Sequence, residues 1–301
     1  MYSFVIPCYN SSESIRHVVE LTMEEMEKMN RREFEFVLVN DYSSSTKTMP
    51  VLKKLAEEYP CVTVLNLAKN AGQHNAIMAG LNYAKGDILI GMDDDMQTHP
   101  SQLPYLFEEL EKGYDIVYGY YPEKKHSAFR NFGSWVNYIS VRILIGKPKE
   151  LKTSSYWVAR KFVRDSVIEY QAPYAYIQGL FLRTTRNISC IPIQHFQREE
   201  GESNYTFKRL LKLWSNIIGF SITPLRLTEY CGFGLSLLSI IAAVVVLIRK
   251  ILNPAMALGW PSLMIVICFF SGIQLMFLGL IGEYIGRMFL GLNRQPQYVI
   301  R

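Results

Sequence analysis

Three consecutive carboxylates, Asp93, Asp94 and Asp95, are the residues of this sequence whose types and spacing best suit chemistry. They follow directly on an apolar segment, residues 88–92. Adjacent carboxylates repel one another, so they are costly unless a cation lies among them. Their oxygen atoms suit a hard cation such as Mg²⁺ or Mn²⁺. The alternative is a solvated acidic turn that caps a helix starting at Pro100.

The elements that must position this acidic run form a repeating pattern. Four apolar segments are predicted to be buried strands, namely residues 3–7, 34–39, 62–65 and 88–92, with helical segments between them. This βαβαβαβ order predicts an α/β, Rossmann-like domain with a mostly parallel sheet. Carboxyl ends of parallel strands meet at one edge, where a nucleotide would lie. The loops expected there contain Tyr9, Asn10, Asn40, Asp41, Asn70 and the acidic run.

Composition and missing motifs exclude several classes of protein. The net charge of +5 on 301 residues, with no basic and aromatic face, does not indicate a nucleic-acid binder. The sequence lacks Gly-x-Gly-x-x-Gly after its first strand and lacks a Walker lysine loop, which disfavours a dinucleotide fold and a P-loop kinase. The 5 cysteines are far apart, so they predict neither a disulfide framework nor a zinc site.

Two uncharged stretches, residues 230–248 and 260–282, come late in the chain. Each is near or above the roughly 20 residues that span a bilayer as a helix. Buried soluble helices are the alternative, but two stretches joined by a short Pro/Gly loop favour a transmembrane hairpin. Basic residues concentrate outside the pair, which predicts a multi-pass inner-membrane protein with both ends and the large domain in the cytoplasm. Those outer residues are Lys208, Arg209, Lys212, Arg226, Arg287, Arg294 and Arg301.

Two amphipathic segments separate the α/β domain from the predicted spans. Residues 127–145 and 205–220 carry apolar side chains at helical spacing, with Trp135 and Trp214 among them. Core packing is the ordinary explanation, whereas Trp next to Lys and Arg near a span favours helices in the membrane interface. The predicted division is therefore residues 1–204 for the α/β domain, 205–226 for a juxtamembrane segment, and 227–301 for the hairpin with a short tail.

Several motifs, in order along the chain, resemble the family 2 glycosyltransferases with the GT-A fold. They are Phe4-Val5-Ile6-Pro7-Cys8-Tyr9-Asn10, Val39-Asn40-Asp41-Tyr42-Ser43-Ser44, Asn70-Ala71-Gly72, Gly86-Asp87 and Met92-Asp93-Asp94-Asp95-Met96-Gln97-Thr98-His99-Pro100. Ordered co-occurrence is more specific than any single motif. Two later segments resemble the polyprenyl-phosphate branch, which includes dolichol-phosphate mannose synthase and bacterial undecaprenyl-phosphate glycosyltransferases. They are Arg198-Glu199-Glu200-Gly201-Glu202-Ser203-Asn204-Tyr205 and Gly282-Glu283-Tyr284-Ile285-Gly286-Arg287.

The resemblance implies a metal-dependent transfer of a sugar from a nucleotide sugar, with UDP favoured, to polyprenyl (undecaprenyl) phosphate, with inversion. In the family pattern Asp-x-Asp-x-Gln, Asp95 is the metal ligand, Gln97 a neutral second ligand and Asp93 a supporting one. Either Asp93 or Asp94 would hold ribose or metal-bound water. Asp94 occupies the variable position and is the expected bystander of the three. The implied donor-binding residues are Pro7, Tyr9, Asn10, Asn40, Asp41, Asn70, Gly72, Asp93 and Asp94.

The implied acceptor is a phosphate monoester, which is largely ionised at neutral pH and is its own nucleophile. It needs cationic hydrogen-bond donors at membrane level. Arg198 is the first candidate and, with Asp95, one of two catalytic predictions. Arg183 and Arg186 are weaker candidates. Ser203, Tyr205 and Lys208 are expected to support Arg198. Small residues in the spans also allow a homo-oligomer.

The sequence departs from the family at two places. Asn40-Asp41-Tyr42-Ser43 stands where Asp-Asp-Gly-Ser is usual, and residues 153–160 hold no carboxylate that would serve as a base. Tyr42, Tyr118, Tyr120 and residues 154–157 are the candidates for the sugar pocket. Two other functions stay open: a processive polysaccharide synthase, whose Gln-x-x-Arg-Trp motif is missing, and a non-catalytic nucleotide-sugar sensor, in which the acidic run would be eroded.

Overall fold

The structure, a computed structural model, describes residues 1–122, 142, 146–194, 223–252 and 259–301. Within these residues, the strands are β1 (Tyr2–Cys8), β2 (Phe34–Asn40), β3 (Val62–Asn66), β4 (Ile88–Gly91), β5 (Ile116–Tyr120), β6 (Trp157–Arg160) and β7 (Ile188–Pro192). They form one 7-stranded sheet in the order β3-β2-β1-β4-β6-β5-β7. Strand β6 runs antiparallel to β4 and β5, and the other pairs are parallel. The predicted α/β class with a mostly parallel sheet is confirmed.

Helices cover both faces of this sheet. They are α1 (Ile15–Lys28), α2 (Thr48–Glu58), α3 (Gln73–Tyr83), α4 (Leu103–Glu111), α5 (Lys161–Ile168) and α6 (Ile177–Thr184), followed by the long α7 (Thr223–Leu252) and α8 (Trp260–Leu292). A short 3₁₀ turn, Pro100–Gln102, precedes α4. One core cluster packs α3, α5 and α6 against the sheet, and a second packs α1, α2 and α4 against the opposite face.

Strand β1 lies at the centre of the sheet and is buried on both faces. Phe4 packs into one core cluster and Val5 into the other, as expected for a parallel strand covered on both sides. The strand was expected to end at Pro7, but it continues to Cys8. The Cys8 carbonyl points towards β2 and accepts from Asp41 N–H at 3.0 Å. Backbone groups of successive residues point to opposite sides of a strand, so the Pro7 nitrogen faces β4, and the pairing of β1 with β4 stops at Val5. Proline has no N–H, and at this position the sheet loses no hydrogen bond by its absence.

The two long helices α7 and α8 have 30 and 33 residues. Large apolar side chains on both are exposed, among them Phe233 (72%) and Leu275 (69%). In the described part of the chain, one helical stretch, Phe269–Leu292, is long and apolar enough to cross a membrane. The predicted second span thus falls within α8, which extends ten residues further, and the two-helix hairpin stays a prediction. The predicted amphipathic helices lie outside the described residues.

The segment after α8 returns to the α/β domain. Ile300 forms an isolated antiparallel bridge with Leu67, just beyond the end of β3. Tyr298 and Ile300 pack against the core cluster that contains α3 and α6. The predicted short tail is therefore a packed part of the domain, because its apolar side chains pack beside the edge strand β3.

Candidate active site

The acidic run after β4 folds back on itself in a tight loop. Asp93 N–H donates to Thr98 Oγ1 at 2.9 Å, and Thr98 Oγ1 donates to the Asp93 carbonyl at 3.2 Å. Met96 has φ 64°, a left-handed conformation that is rare for residues other than glycine, and its side chain is 3% exposed. Such a conformation costs roughly 1 kcal/mol or more and tends to occur at functional sites. The loop is therefore held in a strained conformation, which fixes the positions of the three carboxylates that precede Met96.

Asp94 is bound to the loop that follows β1. Its Oδ2 accepts from Tyr9 N–H at 3.1 Å, and its carbonyl accepts from Ser14 Oγ at 2.5 Å. Burial raises the pKa of the Asp94 carboxyl, and the Asp95 charge acts in the same direction, whereas the Tyr9 N–H lowers it. Asp94 thus connects the acidic run to the amino-terminal strand.

Asp93 points towards the other side of the site. Its Oδ1 accepts from Gln73 Nε2 at 2.9 Å, and its Oδ2 accepts from the Ser155 hydroxyl. Gln73 begins α3, and Ser155 lies two residues before β6. These contacts fix the carboxylate from two separate elements. No signal in the sequence identified Gln73 as a partner of Asp93, and Ser155 was named only as part of a sugar pocket.

Asp95 lines a cavity beside the loop after β1. Its Oδ1 accepts from Gln97 N–H at 3.1 Å, and the Gln97 carbonyl accepts from Tyr121 OH at 2.7 Å. The cavity has a volume of about 480 Å³. Its lining is mainly polar and consists of Tyr9, Asn10, Ser11, Ser12, Glu13, Ser14, Ser45, Lys47, Asp94 and Asp95. Lys47, whose ammonium suits a phosphate oxygen, was not among the sequence candidates because it stands outside the motifs.

Asn10 joins the loops that follow β1 and β2. Its backbone adopts φ 59°, and its N–H donates to Ser43 Oγ at 3.0 Å. The side-chain Nδ2 donates to Ser44 Oγ at 2.9 Å, and Oδ1 accepts from Ser45 N–H at 2.9 Å. Asparagine tolerates the left-handed region better than most residues. The side chain thereby holds two strand-end loops together at the cavity wall.

Asp41 holds the loop that follows β3. Its two carboxylate oxygens accept from Ala71 N–H at 2.6 Å and from Gly72 N–H at 2.9 Å. Asn70 Nδ2 donates to the Asp41 carbonyl at 3.0 Å, and Asp41 is 4% exposed. Gly72 has φ 85° and ψ 156°, a conformation that residues with a Cβ essentially do not adopt. The motif Asn70-Ala71-Gly72 is therefore fixed to the end of β2.

Asn40 is buried beneath these loops. Its Nδ2 donates to Asn66 Oδ1 at 2.8 Å, and its Oδ1 accepts from Ser43 Oγ at 2.6 Å. Tyr118, a candidate for the sugar pocket, is fully buried, so that interpretation is wrong. Alternation along β5 directs its ring to the face of the sheet covered by α3, α5 and α6. Tyr42, by contrast, is 52% exposed with φ 53°.

Tyr9, Asn10, Asp94 and Asp95 share the cavity wall, with Asn40 and Asp41 supporting the loops behind it.

The acceptor candidates are only partly described. Arg198, Ser203, Tyr205 and Lys208 lie outside the described residues. Arg183 is in the last turn of α6, and its charge, together with that of Arg287 on α8, acts on Tyr170. Burial raises the Tyr170 pKa, and these two guanidinium groups oppose the rise. Arg183 therefore lies on the side of the domain that contacts α8.

His74, next to Gln73, is a partly buried side chain whose Nδ1 atom is enclosed. Its ring packs edge-on against Tyr176 with the centroids 5.1 Å apart. Burial lowers the pKa of His74 to about 4, so the imidazole is uncharged at neutral pH.

Comparison with known proteins defines the class. The sequence model of the family described as "Glycosyl transferase family 2" matches residues 3–170. The undecaprenyl-phosphate 4-deoxy-4-formamido-L-arabinose transferase of Edwardsiella ictaluri is 33% identical over 308 residues, covering 99% of this chain and 93% of that protein. The transferase of the same name from Pseudomonas syringae pv. syringae is 33% identical over 303 residues, covering 99% and 89% respectively.

Among solved structures, glucosyl-3-phosphoglycerate synthase from Mycobacterium tuberculosis, in complex with Mn²⁺ and UDP-glucose, is similar in fold. It gives a TM-score of 0.53 at 14% identity and covers 73% of this chain and 79% of its own. The α/β domain thus has the GT-A fold, as the motifs predicted. The chain belongs to glycosyl transferase family 2 and is a glycosyltransferase.

Proposed function

We propose that this enzyme transfers a sugar from a nucleotide sugar, a UDP-sugar in the first instance, to a membrane polyprenyl phosphate such as undecaprenyl phosphate. The observation that carries the proposal is the polar cavity at the carboxyl ends of the strands, where Asp94 and Asp95 meet the loop after β1. The named relatives, 33% identical along 99% of the chain, support this acceptor class. The single displacement inverts the anomeric carbon.

The donor lies across the strand-end loops. Tyr9 lines the cavity wall and is 51% exposed, so its aromatic ring can lie against the nucleobase. Asn10 and the Asp41-bound loop at Asn70 and Gly72 supply polar groups, and Pro7 and Asn40 fix the strand ends from which these loops emerge. The structural neighbour that holds Mn²⁺ and UDP-glucose supports a uridine nucleotide on this fold.

A divalent cation, Mg²⁺ or Mn²⁺, fits the acidic run. Such ions are usually held by one or two carboxylates together with substrate phosphate oxygens, so a large protein cage is not needed. In the described residues there is no group of three or more histidine, cysteine or acidic side chains that would form one. Asp95 and Gln97 would hold the ion, with Asp93 kept in place by Gln73 and Ser155. The ion would supply Lewis-acid neutralisation of the diphosphate leaving group.

The acceptor phosphate approaches from the membrane side. It is an anion that attacks without a separate base, which accounts for a site with no carboxylate in residues 153–160. Arg183 and Arg287, both acting on Tyr170, provide positive charge where α8 meets the domain. Arg198, with Ser203, Tyr205 and Lys208, is assigned to the phosphate itself from the sequence motif.

The membrane arrangement follows from the same proposal. Residues 1–204 form the catalytic domain, residues 205–226 a juxtamembrane segment, and residues 227–301 two spans with a cytoplasmic tail. The exposed apolar surfaces of α7 and α8 support two spans. Catalytic domain and both termini then lie on the cytoplasmic side of the inner membrane, where nucleotide sugars are made available.

The test is a donor screen with the full chain in lipid nanodiscs. Undecaprenyl phosphate and a panel of nucleotide sugars are incubated with Mn²⁺ or Mg²⁺, and the mass of the lipid product is measured. We expect one donor to add one sugar to the phosphate, with loss of product on chelation and in Asp95→Asn. Transfer by Asp95→Asn at the wild-type rate without metal would refute the site. No lipid product from any donor would refute the function and favour a sensor.

A further inference from the structure

The segment formed by residues 297–301 closes the edge of the sheet beside the donor loop. Ala68 N–H donates to the Val299 carbonyl at 2.8 Å, and Arg301 N–H donates to the Asn66 carbonyl at 2.8 Å. Strand β3 is the first strand in the sheet order, so its outer edge has no other strand among the described residues. Residues 66–68 lead directly into Asn70 and Gly72, which are bound to Asp41.

The same segment also holds a second loop, residues 170–176. Gln297 Nε2 donates to the carbonyls of Tyr170 at 2.6 Å and Ala172 at 2.8 Å. That loop in turn contacts the start of α3, because the Pro173 carbonyl accepts from Asn75 Nδ2 at 3.0 Å. Two residues before Asn75, the Gln73 side chain donates to Asp93. The segment thus contacts the chain before the turn that contains Gly72 directly, and it reaches the start of α3 after that turn through the loop of residues 170–176.

Helix α8 anchors the segment from its other end. Arg287 lies over the Tyr174 ring at 4.7 Å and forms an ion pair with Glu283 at 2.8 Å. The segment begins a few residues after α8 ends at Leu292. One continuous piece of chain therefore connects the apolar helix to residues 170–176 and to the end of β3.

We propose that residues 297–301 are positioning residues for the donor site, which hold the turn at Asn70–Gly72 and the start of α3 in the geometry that binds the nucleotide. The proposal rests on the donor placement given above. Loops with few buried contacts sample many conformations, and each backbone hydrogen bond from the segment removes some of that freedom before the donor binds. A strand that merely protects the sheet edge would stabilise the fold without affecting nucleotide affinity.

The experiment compares substitutions within the segment in the full chain. Gln297→Ala removes the bonds to residues 170–172, and Ile300→Asp removes the packing against the core. Tyr105→Ser, whose side chain is 56% exposed on α4 and lies outside the segment, is the control for loss of an exposed apolar side chain. Leu110→Ala, in α4 on the other face of the sheet, controls for general loss of stability.

The measurements are the dissociation constant of UDP with Mn²⁺, the KM values of donor and acceptor, and the thermal unfolding midpoint. Gln297→Ala loses two hydrogen bonds, and Ile300→Asp loses the packing that holds the segment on the core. For both variants we expect UDP affinity and donor KM to worsen roughly three- to tenfold. The acceptor KM of these two variants should stay within about twofold of the wild-type value. Both controls should bind UDP like the wild type, and Leu110→Ala should do so even though its thermal unfolding midpoint is lowered.

Two results would overturn the proposal. One is wild-type UDP affinity in folded Gln297→Ala and Ile300→Asp. The other is an equal loss of affinity in Leu110→Ala at the same unfolding midpoint, which would assign the effect to stability alone. If the wild-type chain itself bound no nucleotide, the donor assignment would be wrong, and the positioning role with it; unchanged binding in the variants overturns the positioning role alone.

Discussion

The Asp94 carboxylate accepts a hydrogen bond from the backbone N–H of Tyr9 at 3.1 Å, so the middle residue of the acidic run is bound to the loop after β1. The family pattern alone places Asp94 at its variable position and makes it the expected bystander of the three carboxylates. The structure instead gives it a contact that shapes the cavity wall, while Asp93 is held by Gln73 and Ser155. Three adjacent residues of one type therefore have three different surroundings.

This division predicts unequal effects of Asp94→Asn and Asp95→Asn. An asparagine at position 94 still accepts from the Tyr9 N–H, so we expect kcat/KM to fall by less than about tenfold. At position 95 the lost charge removes stabilisation of the leaving group, and kcat/KM should fall roughly 10²- to 10³-fold. Steady-state transfer to the polyprenyl phosphate at several Mn²⁺ concentrations measures both. Equal losses in the two variants would show that the surroundings do not set the roles.

Ser155→Ala should release one oxygen of Asp93. The hydroxyl donates to Asp93 Oδ2, and Gln73 holds Oδ1, so the carboxylate would lose one of two fixed contacts. We expect kcat to fall roughly three- to tenfold with the unfolding midpoint nearly unchanged. Ser189→Ala is the matched control, because the hydroxyl of this β7 residue also donates to a carboxylate, that of Glu109 on α4, at 2.6 Å. A kcat for Ser155→Ala equal to that of the control would contradict the role.

Asp41→Ala should destabilise the protein as well as weaken donor binding. The substitution leaves the Ala71 and Gly72 N–H groups without their carboxylate acceptor in a buried site. Loss of such charge-assisted bonds costs about 2–3 kcal/mol of unfolding free energy. Thermal unfolding monitored by circular dichroism measures the change. Asp165→Ala, whose side chain is 50% exposed beside Arg164, should shift the midpoint little.

His74 predicts a loss of stability in mild acid. Its pKa is about 4 in the folded protein against an ordinary value of 6.5, so the unfolded chain binds a proton first as the pH falls. Stability from this group is complete above pH 6.5 and is lost progressively down to about pH 4, by about 3 kcal/mol. His74→Gln should flatten this part of the unfolding profile. A profile unchanged in His74→Gln would contradict the assignment.

Much of the domain was predictable because local pattern and global fold agree. Residues recurring at helical spacing in the first helix, namely Ile15, Val18, Val19, Thr22 and Met26, are all buried in α1. The four parallel strands stand within one or two residues of their predicted limits. Strand β6 was not predicted, since a short strand antiparallel to its neighbours has no distinctive spacing in the sequence.

Sequence by itself determined the chemistry: three carboxylates after a buried strand, polar loops at the same sheet edge, and motifs of a glycosyltransferase family. Residue types and their spacing determine these features, because strand ends, turns and charge depend on the local sequence. Only the tertiary structure decided that Asp94 binds Tyr9, that Ser155 holds Asp93, and that residues 297–301 close the edge of β3. These contacts join residues from 62 to over 200 positions apart, and the folded chain alone brings such residues together.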